Sequence, residues 1–199
     1  MWPELTDAMS GRLVGLEPLS VDHEDELFVA GGPPEIWEWW PFNPAVDRQT
    51  FHSWLVDVLA AVAAGTEARF ATRELASGRL IGSTSYCTLR PEHRGLEIGW
   101  TWTTPTAWGR GLNAEAKLLQ LRRAFDVLGV QRVEFETDAE NARSRRALEA
   151  LPAEFEGIMR DWKIVGGTRR RSSAVYSILD HEWPAVEANL LRRIRRRSG

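Results

Sequence analysis

A glycine-rich turn, Trp108-Gly109-Arg110-Gly111-Leu112-Asn113, stands between a strand pattern and a helix pattern, and no other segment restricts the chain as much. Upstream, Leu96, Ile98, Trp100 and Trp102 alternate with Glu97, Gly99, Thr101 and Thr103, the period of a strand with one buried face. Downstream, Ala114, Leu118, Leu121, Phe125 and Leu128 recur every three or four residues as one apolar helix stripe. A glycine turn feeding a helix leaves the first backbone N–H groups unpaired, at the positive end of the helix dipole. Such a helix start binds phosphate. The pattern therefore predicts an α/β unit that holds a phosphorylated ligand.

The flanking chain supplies the rest of such a unit. Residues 12–18 read as a first strand and 22–30 as a short acidic helix, followed by a turn-rich stretch carrying Trp37, Trp39 and Trp40. Phe51, Trp54, Leu55, Val58 and Val62 mark an amphipathic helix. Strands are expected over 69–74, 80–89 and 96–103. After the long helix come a strand at 132–137, a helix at 141–151 and two strands, 155–165 and 169–179, around Gly166-Gly167, with a closing helix from Trp183. This order gives an α/β fold with a mixed sheet of about seven strands and flanking helices, in one domain spanning 1–199.

Charge divides between the two halves. The first 100 residues carry 7 basic and 15 acidic side chains, the remainder 18 and 13, so the half with the glycine turn is the half suited to an anion. No apolar run reaches the length of about 18 residues that a membrane helix needs, and the Met1-Trp2-Pro3-Glu4 start lacks the pattern of a signal peptide. A cytoplasmic protein without a membrane partner is expected. The single cysteine, Cys87, excludes an internal disulfide and a cysteine-based metal cluster, and no metal is expected. Cys87 falls in an apolar strand pattern with no basic neighbour to activate it.

Several phosphorylated ligands compete for the turn. A Walker loop needs Gly-Lys before Ser or Thr, and Asn113-Ala114 stand there instead. A dinucleotide fold is a closer match: Gly109, Gly111 and Ala114 satisfy G-x-G-x-x-A, with Glu134 about 20 residues on. Against a nicotinamide dinucleotide, residues 103–108 intervene between strand and glycine, and the motif sits mid-chain. A third reading uses more of the sequence. The segments PEIWEWWPFNP, SGRLIGSTSY, LEIGWTW, the WGRGLNAEAKLL helix start, TDAENARSRRALE and YSILDHEWP occur in an order and spacing that resembles the GNAT superfamily of acetyl-CoA-dependent N-acetyltransferases. Within it, the chain resembles the branch of bacterial ribosomal-protein-alanine N-acetyltransferases. Thr106 and Leu151-Pro152 depart from the family pattern, where Gln or Arg and Leu-Gly are usual.

The resemblance implies acetyl-CoA as co-substrate and a primary amine as acceptor, a small molecule or a protein N-terminus, attacking the thioester directly. It implies that Trp100, Trp102 and Thr103 flank pantetheine, where the strand bulges near Gly99. It implies further that Trp108, Gly109, Arg110, Gly111, Leu112 and Asn113 surround pyrophosphate. Glu97 is the leading general base, with the alternative of a solvated strand carboxylate; Asp161 is a second candidate, whose equivalent position here falls on Lys163 instead. Asn141 either bonds the cofactor or merely caps its helix. Ser144, also near the cofactor, and Tyr176 compete to protonate the thiolate. Arg145 and Arg146 reach toward the adenosine phosphate. Trp37 and Trp40 fall where the family builds its acceptor pocket, though paired tryptophans in a proline-rich turn also serve as anchors. Arg192, Arg193, Arg195, Arg196 and Arg197 read as a solvated helix end rather than a nucleic-acid contact. A homodimer is compatible with the sequence. The opposing class is a non-catalytic module that binds acetyl-CoA or RNA without turnover.

Overall fold

The computed structural model describes residues 2–197. Its elements run β1 (Met9–Ser10), β2 (Val14–Pro18), α1 (Glu24–Ala30), α2 (Arg48–Ala63), β3 (Ala68–Glu74), β4 (Leu80–Arg90), β5 (Gly95–Thr103), α3 (Leu112–Arg122), β6 (Arg132–Asp138), α4 (Ala142–Glu149), β7 (Glu154–Val165), β8 (Arg169–Leu179) and α5 (Trp183–Arg197). One sheet holds all eight strands in the order β1-β2-β3-β4-β5-β6-β8-β7. The strand beyond the expected seven is β1, two residues that pair back on β2 and are too short to show a period. Among the described residues no helix is long and apolar enough to cross a membrane.

Helices cover both faces of the sheet. On one face α3 and α5 bury Leu118, Leu121 and Leu190 against Phe70, Tyr86, Leu96, Ile98 and Val133. On the other, α1, α2 and the tryptophan segment bury Leu27, Trp37, Phe51 and Leu55 against Ala71, Leu80 and Trp102. Each fully buried side chain of this size contributes about 1.5–3 kcal/mol. The stripe predicted on α3 is buried at Leu118 and Leu121, and the helix continues through a π-type turn at Arg123–Val127. The buried Glu115 carboxylate accepts the backbone N–H groups of Leu13 and Val14, the latter at 2.8 Å, and so ties the start of α3 to β2.

Every neighbouring pair of strands is antiparallel except β5 and β6, which are parallel and joined by the α3 crossover. That pairing is short. Gly95, Leu96 and Glu97 face Arg132, Val133 and Glu134, and no further rungs follow. Beyond them β5 runs on to Thr103 and β6 to Asp138 without meeting, so the sheet parts into a cleft. The single parallel pair also corrects the dinucleotide alternative, which needs a mostly parallel sheet. Glu134, its expected ribose ligand, is instead paired with Arg90 (2.6 Å) and Arg132 (2.7 Å).

One expectation about β5 fails for an identifiable reason. Ser83 pairs with Trp102 and Ser85 with Gly99, so β5 carries one more residue than β4 over this stretch. The bulge reverses which face later residues occupy. Leu96 and Ile98 therefore enter the core beneath α3, Trp102 enters the core beneath α1 and α2, and Trp100 is 40 % exposed. The four residues do not form one buried stripe.

Candidate active site

The cleft between the parted strands has a volume of about 500 Å³. Its floor and walls come from Ile98–Thr103 of β5, 135–138 of β6, the start of α3, the inner face of α4, and Leu190 and Arg193 of α5. Lys117, Arg143, Arg146, Arg171 and Arg193 outnumber Glu136 and Asp138 among its charged lining residues, which favours an anionic ligand.

At one end lies the glycine turn. Gly109 and Gly111 have φ of +77° and +85°, in the region that only glycine enters cheaply. Gly111 caps α3 with no side-chain hydrogen bond, and Gly109, Gly111, Asn113 and Ala114 all line the cleft. The first amides of α3 are thus free of a capping side chain at the positive end of the helix. Trp108 Nε1 donates to the Thr103 carbonyl at 3.0 Å, which fastens the turn to the end of β5. The Arg143 guanidinium lies 3.8 Å over the Trp108 ring, joining the turn to α4.

Two residues of the turn direct their side chains elsewhere. The Arg110 side chain leaves the cleft and pairs with Glu74, while the Leu112 side chain enters the core. Only their backbones belong to the turn. On α4 the Arg145 side chain also turns away, donating to the Tyr176 hydroxyl (3.1 Å) and the Ala139 carbonyl (3.2 Å). Arg143 and Arg146 take the inward positions. Sequence reasoning missed Arg143, although its spacing from Arg146, Ala147 and Ala150 on one helix face could have revealed it.

Asn141 and Ser144 both reach the cleft. Asn141 Oδ1 accepts the Ser144 backbone N–H at 3.0 Å, so the residue does cap α4 while also lining the cavity. Tyr176 is corrected as a proton donor. It is fully buried on β8, hydrogen-bonded to Arg145 and, at 3.5 Å, to Glu149, and does not line the cleft. Its inward direction follows from the pairing of β8 with β6, where Tyr176 lies opposite the core residue Phe135.

Glu97 lies at the last rung before the strands part, on the α1/α2 face. Thr88, left-handed at φ +48°, donates to its Oε2 at 2.8 Å. A Cβ at Gly99 would come within 2.8 Å of Glu97 Oε1 and 2.9 Å of Cys87 Sγ, so glycine there leaves the carboxylate room beside the bulge. Burial raises the Glu97 carboxyl above its ordinary range, against the opposing effect of the Thr88 hydrogen bond. Cys87, unlike the half-buried Glu97, is fully inside; burial first, then Glu97 and Glu67, push its thiol well above the ordinary range, which removes it as a nucleophile. Asp161 is corrected as a base candidate, because it is exposed and paired with Arg170 at 3.2 Å. Lys163 holds Glu136 at 2.6 Å.

The tryptophan segment divides by role. Trp37 is 4 % exposed and donates from Nε1 to the Gly31 carbonyl at 2.7 Å, so it is a core anchor and not a pocket residue. Trp40 and Trp39 line the cleft. The Trp40 ring lies 5.4 Å from that of Trp100, which stands at φ +49° and packs 5.7 Å from the Arg69 guanidinium. The Gly166 N–H donates to the Pro41 carbonyl at 3.3 Å, bringing the β7–β8 tip against this segment. Sequence reasoning also missed Glu136, Asp138 and Arg171, joined across the cleft floor by ion pairs of 3.3 Å and 3.8 Å. In the arginine run at the end of α5, Arg193 borders the cleft and donates to the Ala150 carbonyl. The side chains of Arg196 and Arg197 lie outside the described residues.

Comparison with known proteins agrees with this geometry. The model of the acetyltransferase (GNAT) domain matches residues 13–154. A GCN5-related N-acetyltransferase from Brucella melitensis superimposes with a TM-score of 0.89 and 35% identity, over 96% of this chain and 86% of that one. A Bacillus licheniformis protein described as an uncharacterized N-acetyltransferase, p20, is 23% identical over 84% of this chain and 93% of its own. Mycobacterium smegmatis RimJ, solved with CoA-disulfide, shares the fold at a TM-score of 0.82 and 20% identity, over 96% of this chain and 97% of that one.

Proposed function

The chain belongs to the GNAT acetyltransferase family, and from that premise we propose that it moves an acetyl group from acetyl-CoA to a primary amine by direct attack on the thioester. One observation carries this reading. β5 is parted from β6 beyond Glu97, with an uncapped helix start at one end of the gap and the half-buried Glu97 carboxylate at the other. A parted strand has unpaired backbone groups, so an extended pantetheine arm pairs there as a further strand would. The backbone N–H groups from Gly109 to Asn113 suit the pyrophosphate, with Arg143 and Arg146 beside it. Trp102 and Thr103 flank the arm. The CoA ligand of the RimJ structure supports the same class of ligand.

Three tasks fall to the chain's own residues. The bulge at Gly99–Trp100 offers a backbone N–H to the thioester oxygen, stabilising the charge that develops there. Glu97 takes a proton from the acceptor ammonium, directly or through water, which frees the neutral amine to attack, and its raised pKa brings it nearer the pH at which amines attack. Ser144, on the first turn of α4, supplies a proton to the leaving thiolate. Trp39, Trp40 and Trp100 form the wall on the acceptor side, where an amine with an apolar body is accommodated.

The direct test is thiol release from acetyl-CoA with a panel of small amines and N-terminal peptides, checked by mass spectrometry of the acceptor. Release that depends on one class of amine is expected. Tight acetyl-CoA binding without release for any acceptor contradicts the reading.

A further inference from the structure

Lys117 is a charge held among core residues. It projects from the face of α3 that packs on β4 and β5 and is 7 % exposed, although it belongs to none of the surface ion pairs. Its Nζ donates to Thr101 Oγ1 at 2.8 Å, Gln120 Oε1 at 3.0 Å and Thr84 Oγ1 at 3.1 Å. Three acceptors match the three N–H groups of an ammonium. The two threonine hydroxyls also bond each other at 2.7 Å, so the knot joins β4, β5 and α3. None of the partners is a carboxylate. A buried ammonium among neutral groups destabilises the fold relative to an apolar side chain of similar size, which makes the retained lysine a candidate for another task.

The position of the knot identifies that task. Thr101 immediately follows Trp100 in the bulge, and its Oγ1 also lies 3.4 Å from the Gly99 carbonyl oxygen. Ser85 Oγ holds that same oxygen at 3.0 Å. Lys117 itself lines the cleft. We propose that Lys117 is a positioning residue for acetyl transfer, gripping Thr84 and Thr101 so that the β5 bulge presents its backbone to the thioester in one fixed geometry. Its kinetic consequence rests on the acetyl-transfer reading; its structural consequence does not.

The grip is sensitive to protonation. Burial brings the Lys117 ammonium down to about 7. The groups facing it are Thr84 on β4, Thr101 on β5 and Gln120 on its own helix, with Cys87 on β4 the titratable group nearest in effect. Across the cleft, Glu136 and Asp138 on β6 are occupied by Lys163, Arg169 and Arg171. Deprotonation leaves two N–H groups and a lone pair for three partners, so one threonine hydroxyl must turn from acceptor to donor toward Nζ and give up the bond it now donates. Because the folded value lies below the ordinary 10.5, folding disfavours the charged form, and stability rises as the pH climbs from about 7 toward 10.5.

The test uses K117M, T101V and their combination in the full chain, read by backbone amide NMR, calorimetry with acetyl-CoA and steady-state kinetics. In the wild type, the amide signals of residues 99–102 are expected to titrate near neutral pH; in K117M they are expected not to. K117M and T101V should each lower kcat by roughly tenfold or more with KM for acetyl-CoA little changed, and the double variant should be no worse than either alone. T101V retains the lysine and carries the same readouts if K117M does not fold. Wild-type kcat in both single variants, or amides of 99–102 that do not titrate in the wild type, overturns the proposal. Absence of any acetyl transfer by the wild type counts against the function alone; the amide titration then decides for or against Lys117.

Discussion

Two helices begin at the same cleft and begin differently. α3 starts on Gly111 at φ +85°, with no side chain on its first amides. α4 starts on Asn141, whose carboxamide oxygen already accepts the Ser144 N–H. A capped start has its amides partly satisfied from within; an uncapped one keeps them for a ligand. The difference assigns anion binding to α3 and the placement of Ser144, Arg143 and Arg146 to α4. It also divides the site, since the turn on α3 stands at one end of the parted strands and Glu97 at the other.

The largest effect separates chemistry from this anion end. E97Q should reduce turnover about a hundredfold or more while leaving acetyl-CoA affinity unchanged, as measured by thiol release and calorimetry side by side. Because the Glu97 pKa is raised, the wild-type rate should climb with pH across a value above the ordinary carboxylate range, and E97Q should lose that rise. Next, G111A forces a Cβ into a left-handed backbone. A strain of about 1–2 kcal/mol should appear as roughly tenfold weaker acetyl-CoA binding, with a lowered Tm beside it. N141A removes a cap and should cost about 1 kcal/mol of stability, read by thermal denaturation, with a smaller effect on acetyl-CoA affinity than G111A. The smallest pair checks which arginines face inward: R143A should weaken acetyl-CoA binding severalfold and R110A hardly at all, in the same titration.

Much of the uncapped end is legible in the sequence because glycine spacing and helix period are local. Gly109, Gly111 and the stripe through Leu118 and Leu121 sit as their spacing demands. The order of strands and helices is legible for the same reason. The other end depends on long-range geometry. One extra residue in β5 moves Trp102 to the opposite face from Ile98 and exposes Trp100, a shift that alternation alone does not reveal. Tyr176 and Trp37 point inward because of the partners that their segments meet, Phe135 on β6 for one and Trp102 on β5 for the other. On α4, choosing between Arg143 and Arg145 requires knowing which face meets the cleft. Lys117 was hidden by its type, as a lysine in a helix ordinarily reads as surface.

Calorimetric titration of acetyl-CoA into the wild type, E97Q and G111A tests the division of the site most directly. Affinity should be equal in the wild type and E97Q and about tenfold weaker in G111A. An E97Q affinity lowered as far as that of G111A, or a G111A affinity equal to the wild type, contradicts it.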